Sequence, residues 1–464
     1  MKRKFTTLVA AAVLLLASCD GSTQLAGIQG SGSPVVASGA ITGFGSIIVN
    51  GVEYATSNAQ ILLDDQPGTE SQLLVGQVVT VTGSVNSDGT TGTATQVTFS
   101  GDVAGPITQI DTAGGTLVVL GQTVRVSGSA LFDDNIQAVS IASLQIGNLV
   151  EVSGFPNAAG EIVASRIQLE AAGSALEVKG IVQSLDMIAH TFRVNTLTVD
   201  YSAITPSGSL ANGATVKVSG TMLNAAGALV ATRVDVLQGF GGTANDQGEI
   251  EGLITTFTSS SDFVINGQRV TTNANTQFTL NGVTLAVDVG VEVEGSFDAS
   301  GVLVATSVQA TPDSSSLVRG LVENVGSNTL TVLGVTITTS SDTEFEDNSN
   351  QQLRTFNLSD LHTNDYVEAR GTPAQTGGLN ASILVRDNPE NHSYLQGTAT
   401  NVASPNLTVL GITVVTSLAT QFSGPDGSTL SAAAFFSQAP NKAVKVRGTL
   451  SAGVFTADQA QIEP

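Results

Sequence analysis

Val216-Lys217-Val218-Ser219-Gly220 recurs, with small changes, six times in this chain of 464 residues. The other copies are Val79-Thr80-Val81-Thr82-Gly83, Val150-Glu151-Val152-Ser153-Gly154, Val291-Glu292-Val293-Glu294-Gly295, Val367-Glu368-Ala369-Arg370-Gly371 and Val444-Lys445-Val446-Arg447-Gly448. Apolar and polar residues alternate, the period-two pattern of a strand with one buried face. Every copy ends in glycine, where a strand bends or a second backbone comes close. Outward from this strand, the rest of the chain reads as six versions of one small β domain.

Other features keep step with it. An apolar-Gly-apolar opening recurs at Gly39, Gly105, Gly180, Gly252, Gly320 and Gly397, at intervals of 66 to 77 residues. That period is too long for a solenoid unit and suits a small autonomous domain. Between opening and closing motifs lie tight-hairpin signals: Asn50-Gly51, Leu120-Gly121, Asn266-Gly267, Leu333-Gly334 and Leu410-Gly411, each between apolar runs. The third repeat has Asn195-Thr196 there, so its turn must be built differently. Thr276-Gln277-Phe278, Thr343-Glu344-Phe345 and Thr420-Gln421-Phe422 read as strand ends. A variable segment follows, with short helical pieces around Leu358-Ser359-Asp360-Leu361 and Ala432-Ala433-Ala434-Phe435-Phe436.

The order in each repeat is three strands, a variable or helical segment, then two strands. This is the order of an OB-like small barrel, with a five-stranded sandwich as the alternative. The fold class expected is all-β, six tandem five-stranded domains. Composition agrees: 50 Gly, no Trp and only 12% charged residues leave little material for long helices. The expected division is a signal peptide over 1–18, a tether over 19–37, and β domains over 38–100, 101–172, 173–240, 245–312, 313–389 and 390–464. The segment Gln238-Gly239-Phe240-Gly241-Gly242-Thr243 predicts a flexible joint after the third domain.

The N-terminus reads as an address. Lys2-Arg3-Lys4 is a basic start, Leu8 to Leu16 an apolar run too short to span a bilayer, and Leu16-Ala17-Ser18-Cys19 resembles a bacterial lipobox. The thioether to diacylglycerol needs a thiol at that one position, and Cys19 is the chain's single cysteine. A disulfide framework is thereby excluded. The expectation is a lipid anchor on Cys19, placing the chain in a bacterial envelope and facing the periplasm or the cell surface. Asp20 leaves inner and outer membrane open.

Gly43-Phe44-Gly45-Ser46-Ile47-Ile48-Val49-Asn50-Gly51-Val52-Glu53-Tyr54, followed by Leu74-Val75-Gly76-Gln77-Val78 and the first organising strand, resembles a bacterial envelope family catalogued only as a domain of unknown function. Its members are similar lipoproteins carrying tandem copies. The resemblance extends over nearly the whole mature chain and implies fold and location. It implies no catalytic residues.

Candidate chemistry is sparse. His190, His362 and His392 fall at unrelated positions of three repeats, which argues against a shared metal site or a triad. Acidic pairs recur after the third strand: Asp64-Asp65, Asp133-Asp134 and Glu346-Asp347. Such carboxylates are the donors Ca²⁺ takes, though their spacing matches no known loop. Nucleic acid is excluded by a formal charge of −22, which removal of Lys2, Arg3 and Lys4 takes to about −25. Sugar stacking would fall to Tyr54, Tyr201, Tyr366 and Tyr394, of which Tyr54 and Tyr201 sit at similar strand positions.

The reading is a non-enzymatic, membrane-anchored envelope protein serving as a binding or spacer module without a cofactor. Its partner would be an envelope protein or a glycan. A divalent-cation (Ca²⁺) or glycan binder is the first alternative, and an envelope hydrolase the second.

Overall fold

The organising strand takes the same place in all six units: it is the fourth strand of a closed five-stranded barrel. The structure, a computed structural model, describes residues 34–462 except 45, 88, 113, 133–140, 142–143, 238, 241, 281–282, 312–315, 342, 354, 375–376, 425–427 and 452. Cys19, the signal peptide and Asp133-Asp134 therefore lie outside the described residues.

In the first unit the barrel strands are Pro34–Phe44, Ile47–Val49, Val52–Ala55, Val78–Val85 and Thr91–Phe99. The opening strand pairs antiparallel with the second and with the fourth, and the fifth with the fourth. The third runs parallel to the fifth, with Glu53 opposite Thr91, and this closes the ring. The same pairings recur in the other units, including the parallel third-to-fifth contact. This is the OB-like order, and closure leaves no free barrel edge. In the sixth unit the opening strand is broken into Ser393–Thr398 and Thr400–Ala403.

The first unit begins at Pro34, so the tether expected to reach residue 37 ends earlier. The Thr-x-Phe motifs also differ from expectation. In three units they lead into an additional short strand, Gln277–Thr279, Glu344–Asp347 or Gln421–Ser423, parallel to the closing strand. The threonine hydroxyl anchors it by donating to that strand's carbonyls: Thr276 to Ala305 (2.7 Å), Thr343 to Ala381 (2.8 Å) and Thr420 to Ala457 (2.7 Å). The variable segment supplies short helical turns at Glu70–Gln72 and Leu358–Asp360, and one α-helix, Ala432–Gln438.

The motif glycine has one job throughout. In every unit the register between fourth and fifth strands slips at that glycine. A Cβ on Gly371 would lie 1.8 Å from the Asn380 carbonyl oxygen, and one on Gly448 2.1 Å from that of Thr456. Only glycine allows the bulge that bends the strand round the barrel. The hairpin turns place both central residues at positive φ, such as Asn50 and Gly51 at +50° and +75°. In the third unit only Asn195 does so, at +50°, and the Thr196 hydroxyl donates to the Gly121 carbonyl of the second barrel.

Opening strands also join barrels in pairs. First and fourth barrels pair in parallel from Val35 opposite Gln247 to Ser38 opposite Ile250. Second and third pair antiparallel, as do fifth and sixth. Second and third barrels share one apolar core, and so do fifth and sixth. The first barrel's core takes in Leu131 from the second unit and Ile383 and Val385 from the fifth. Each such side chain contributes about 1.5–3 kcal/mol through removal from water. The joint expected after the third domain is tied down: Phe240 packs against the fourth barrel's core, and the next strand is bonded to the first barrel.

Candidate functional site

The organising strand has two faces, and they divide the labour. Its apolar residues fill their own barrel, for example Val216 and Val218, fully buried in the core of the second and third units. Its polar residues point away from that core and meet other barrels.

In the third barrel that residue is Lys217, only 4% exposed. Its Nζ lies 2.8 Å from Asp64 Oδ1 of the first barrel and 3.1 Å from Glu177 Oε2 of its own. Arg233 reaches Asp65 at 3.2 Å. Burial alone would lower the Lys217 pKa, but Asp64 and Glu177 outweigh it and raise it. Glu151, the matching residue of the second barrel, stands beside the same group. Burial and then the Asp64, Glu170 and Glu177 carboxylates push it well above the usual carboxylate range. The next polar residue, Ser153, accepts the Val78 N–H of the first barrel at 2.8 Å.

In the fifth barrel the polar residues are Glu368 and Arg370. Arg370 donates to the Ala130 carbonyl of the second barrel at 2.8 Å and pairs with Glu368. Burial would raise Glu368, yet Arg370 and Arg319 hold it low. Arg166 of the second barrel joins three units: one nitrogen lies 2.8 Å from Glu346 of the fifth and donates to the Val75 carbonyl of the first at 2.9 Å.

The acidic pairs singled out as Ca²⁺ candidates thus do something else where they are described. Asp64 and Asp65 hold a lysine and an arginine, and Glu346 holds Arg166. Asp347 forms a two-pronged pair with Arg386 and accepts the N–H groups of Ser349 and Leu353. Burial would raise Asp347, and these bonds hold it low. The pairs do not gather into one site. The three histidines lie apart as well: His190 rests edge-on against Tyr201, His362 is a turn residue, and His392 faces Asp458 at 3.3 Å. Tyr54 and Tyr201 are buried in barrel cores, and Tyr366 and Tyr394 flank the Arg319 guanidinium.

The fourth barrel carries a group that sequence reading passed over. Glu249 and Glu251 alternate on its opening strand and Glu292 and Glu294 on its organising strand, paired Glu249 with Glu294 and Glu251 with Glu292. All four share the outer face. Carboxylate oxygens of Glu249, Glu292 and Glu294 lie within 4.8 Å of one another, with Glu249 wholly buried. Glu344 of the fifth barrel is pushed well above the usual range, by burial first and then by Glu251 and Glu346. The signal was in the sequence: only this copy of the organising strand carries two glutamates, and Glu249-Ile250-Glu251 precedes it at the paired positions.

Six stretches, residues 35–98, 104–168, 179–235, 251–309, 319–382 and 396–460, match the family model described as Domain of unknown function (DUF5666). The chain belongs to the DUF5666 family. Each DUF5666 match starts within an opening strand and ends within a closing strand, so the family unit and the five-stranded barrel are one object. Comparison with curated proteins gives no match. The charged joints lie on organising strands (Lys217, Arg370), closing strands (Arg166, Arg233) and the segment between third and fourth strands (Asp64, Glu346), and they differ from unit to unit because each unit meets different neighbours.

Proposed function

We propose that this chain is a non-enzymatic envelope protein, held to a membrane by lipid on Cys19, whose six DUF5666 barrels work as one body that binds or spaces other envelope components. The observation that carries this reading is the use of charge. Asp64, Lys217, Arg166, Glu346 and Arg370 are directed between barrels, where they fix one unit against another. A group locked in a buried ion pair has its charge balanced and its position set, which serves architecture. Anchoring is supported by the basic, apolar and Leu16-Ala17-Ser18-Cys19 pattern at the N-terminus. In this reading attachment rests on the acyl chains.

Three experiments test it. Metabolic labelling with a palmitate analogue should mark the wild-type chain and leave Cys19→Ala unmarked, with the variant released from the membrane fraction. A membrane-bound Cys19→Ala chain would contradict the anchor. Crosslinking in intact cells should then capture a defined envelope partner. Catalytic turnover in a hydrolase screen, abolished by a point substitution that leaves folding intact, would overturn the non-enzymatic reading.

A further inference from the structure

We propose that Gln24-Leu25-Ala26, ahead of the first barrel, adds as an antiparallel strand to the bare edge of the fourth unit at Gln277–Thr279, with Leu25 over Phe278. The observation is a gap in a pattern that other units complete. In five units the chain at or just after the end of the third strand runs parallel to the closing strand. The residue it sets opposite Val97, Ile167, Val308, Leu384 and Ala460 is Ile61, Phe132, Phe278, Phe345 and Phe422 in turn. These places are equivalent, because each of those closing-strand residues also faces the third residue of its organising motif. Ile61, Phe132 and Phe422 are 8%, 4% and 6% exposed, and Phe345 is half-buried with its ring against Phe356. Phe278 is 42% exposed.

What covers the equivalent places shows what the fourth unit lacks. In the first and sixth units a further strand lies antiparallel on the outer edge: Gln66–Pro67 on Gln60–Leu63, and Thr429–Leu430 on Gln421–Ser423, with Leu430 directly opposite Phe422. In the second and fifth units other barrels lie there. Leu131, beside Phe132, belongs to the first barrel's core, and Glu346, beside Phe345, holds Arg166. Gln277–Thr279 has neither cover. Among the described residues its strand partner is the closing strand alone, and all three of its residues are exposed. Exposed edges are commonly blunted by charge or proline. Gln277 to Val287 carries neither.

Charge, order and reach favour the residues ahead of Pro34 as the occupant. Residues 21–33 are uncharged, as this edge is, whereas two copies of a chain with formal charge −22 repel. Gln24-Leu25 repeats the polar-leucine order of Thr429-Leu430. Val35 is in register with Gln247, Gln247 faces Ser296, Ser296 faces Val304, and Val308, four residues on, faces Phe278. Four strand spacings of about 4.8 Å and four residues of about 3.3 Å make roughly 25 Å over the sheet. The nine residues from Leu25 to Pro34 reach about 30 Å. Direction agrees as well. Gln277–Thr279 runs parallel to its closing strand, which runs the same way as the first barrel's opening strand. An antiparallel segment on that edge therefore heads back toward the end at which Pro34 begins. Docked in this way, Gln24 stands five residues, about 17 Å at full extension, from Cys19. The fourth barrel is then the unit held at the bilayer. That consequence rests on the Cys19 anchor proposed above; the docking itself does not.

Hydrogen exchange at Gln277–Thr279 is compared by mass spectrometry in three soluble chains: one lacking residues 1–18 with Cys19→Ser, the same chain with Leu25→Asp, and one beginning at residue 34. Leu25 precedes every barrel strand, so Leu25→Asp leaves the folded units intact. The first chain should exchange there at least about tenfold more slowly than the other two. A second measurement reads contact. With Cys19 replaced the chain has no thiol. Gln24→Cys with Thr279→Cys should close an intramolecular disulfide under mild oxidation. Gln24→Cys with Leu418→Cys, fully exposed on the sixth unit, should not. Equal exchange in all three chains, protection that persists in the chain beginning at residue 34, or disulfide-linked dimers in place of the intramolecular bond would each overturn the proposal. The last result would put a second copy on the edge. All three chains lack the lipid, so failure of the docking and failure of the anchor are read separately.

Discussion

The glycine that ends each organising strand is chosen by space, not by backbone sign. Gly448 carries no positive φ, yet an added Cβ would strike the Thr456 carbonyl at 2.1 Å; Gly453, nearby, has φ +77° and open space around it. The two predict different costs. Gly448→Ala forces two strands apart and should cost about 2–3 kcal/mol. Gly453→Ala meets only backbone strain and should cost about 1 kcal/mol. Denaturant unfolding of both variants checks the order, and equal costs would refute the bulge argument. Charge also acts at this scale. Asp387 is pushed up to about 6 from 3.8 by burial, against the opposing pull of Arg319 and with Glu368 and Glu390 adding to the rise. The folded chain therefore holds this proton more tightly than the unfolded chain does. Its contribution is favourable below about pH 4 and is lost as pH rises through 6. Asp387→Asn should stabilise by about 1–2 kcal/mol near pH 7.5 and by nothing near pH 4, read as the difference in unfolding free energy at the two pH values. Arg319 keeps Glu368 and Glu390 as partners in that variant.

At the scale of elements, the strand was legible and its neighbours were not. Alternation in Val216-Lys217-Val218-Ser219-Gly220 marks a strand and its buried face, and the turn dipeptides mark the hairpins, because both follow from local geometry. Strand order was legible too, since a helical interruption before the fourth strand is itself part of the OB-like pattern. The partners of the polar face were hidden. Lys217 and Asp64 are 153 residues apart, and no local pattern says that an exposed-looking lysine is 4% exposed against another barrel. For the same reason Asp64-Asp65 looked like free carboxylates. Lys217→Met should destabilise by about 2–4 kcal/mol, because it leaves Asp64 and Glu177 charged and without their shared cation. Adding Glu177→Gln should recover part of that loss. A double-mutant cycle measures the recovery, and simple additivity would show the pair to be uncoupled.

At the scale of the molecule, the opening strands decide how six barrels become one body. Four of the six units pair through their opening strands with a sequence neighbour, yet the first barrel pairs with the fourth. A chain ending at residue 240 would leave Val35 to Ser38 of the first barrel's opening strand unpaired on the side that now meets the fourth barrel, and such edges seek other strands. It should self-associate in sedimentation, while a chain ending at residue 311 stays monomeric. Gly-rich composition around residue 240 suggests a flexible joint after the third domain; composition reports what a segment permits, and the partners of Phe240 and of the strand after it lie far off in the chain. The measurement that tests this account most directly is small-angle X-ray scattering from the chain beginning at residue 34. Six barrels locked by paired strands and buried charges should give one particle with a radius of gyration of about 22–25 Å, near the value for a packed chain of this length. A radius roughly twice that, with scattering that shows independent beads, would contradict it.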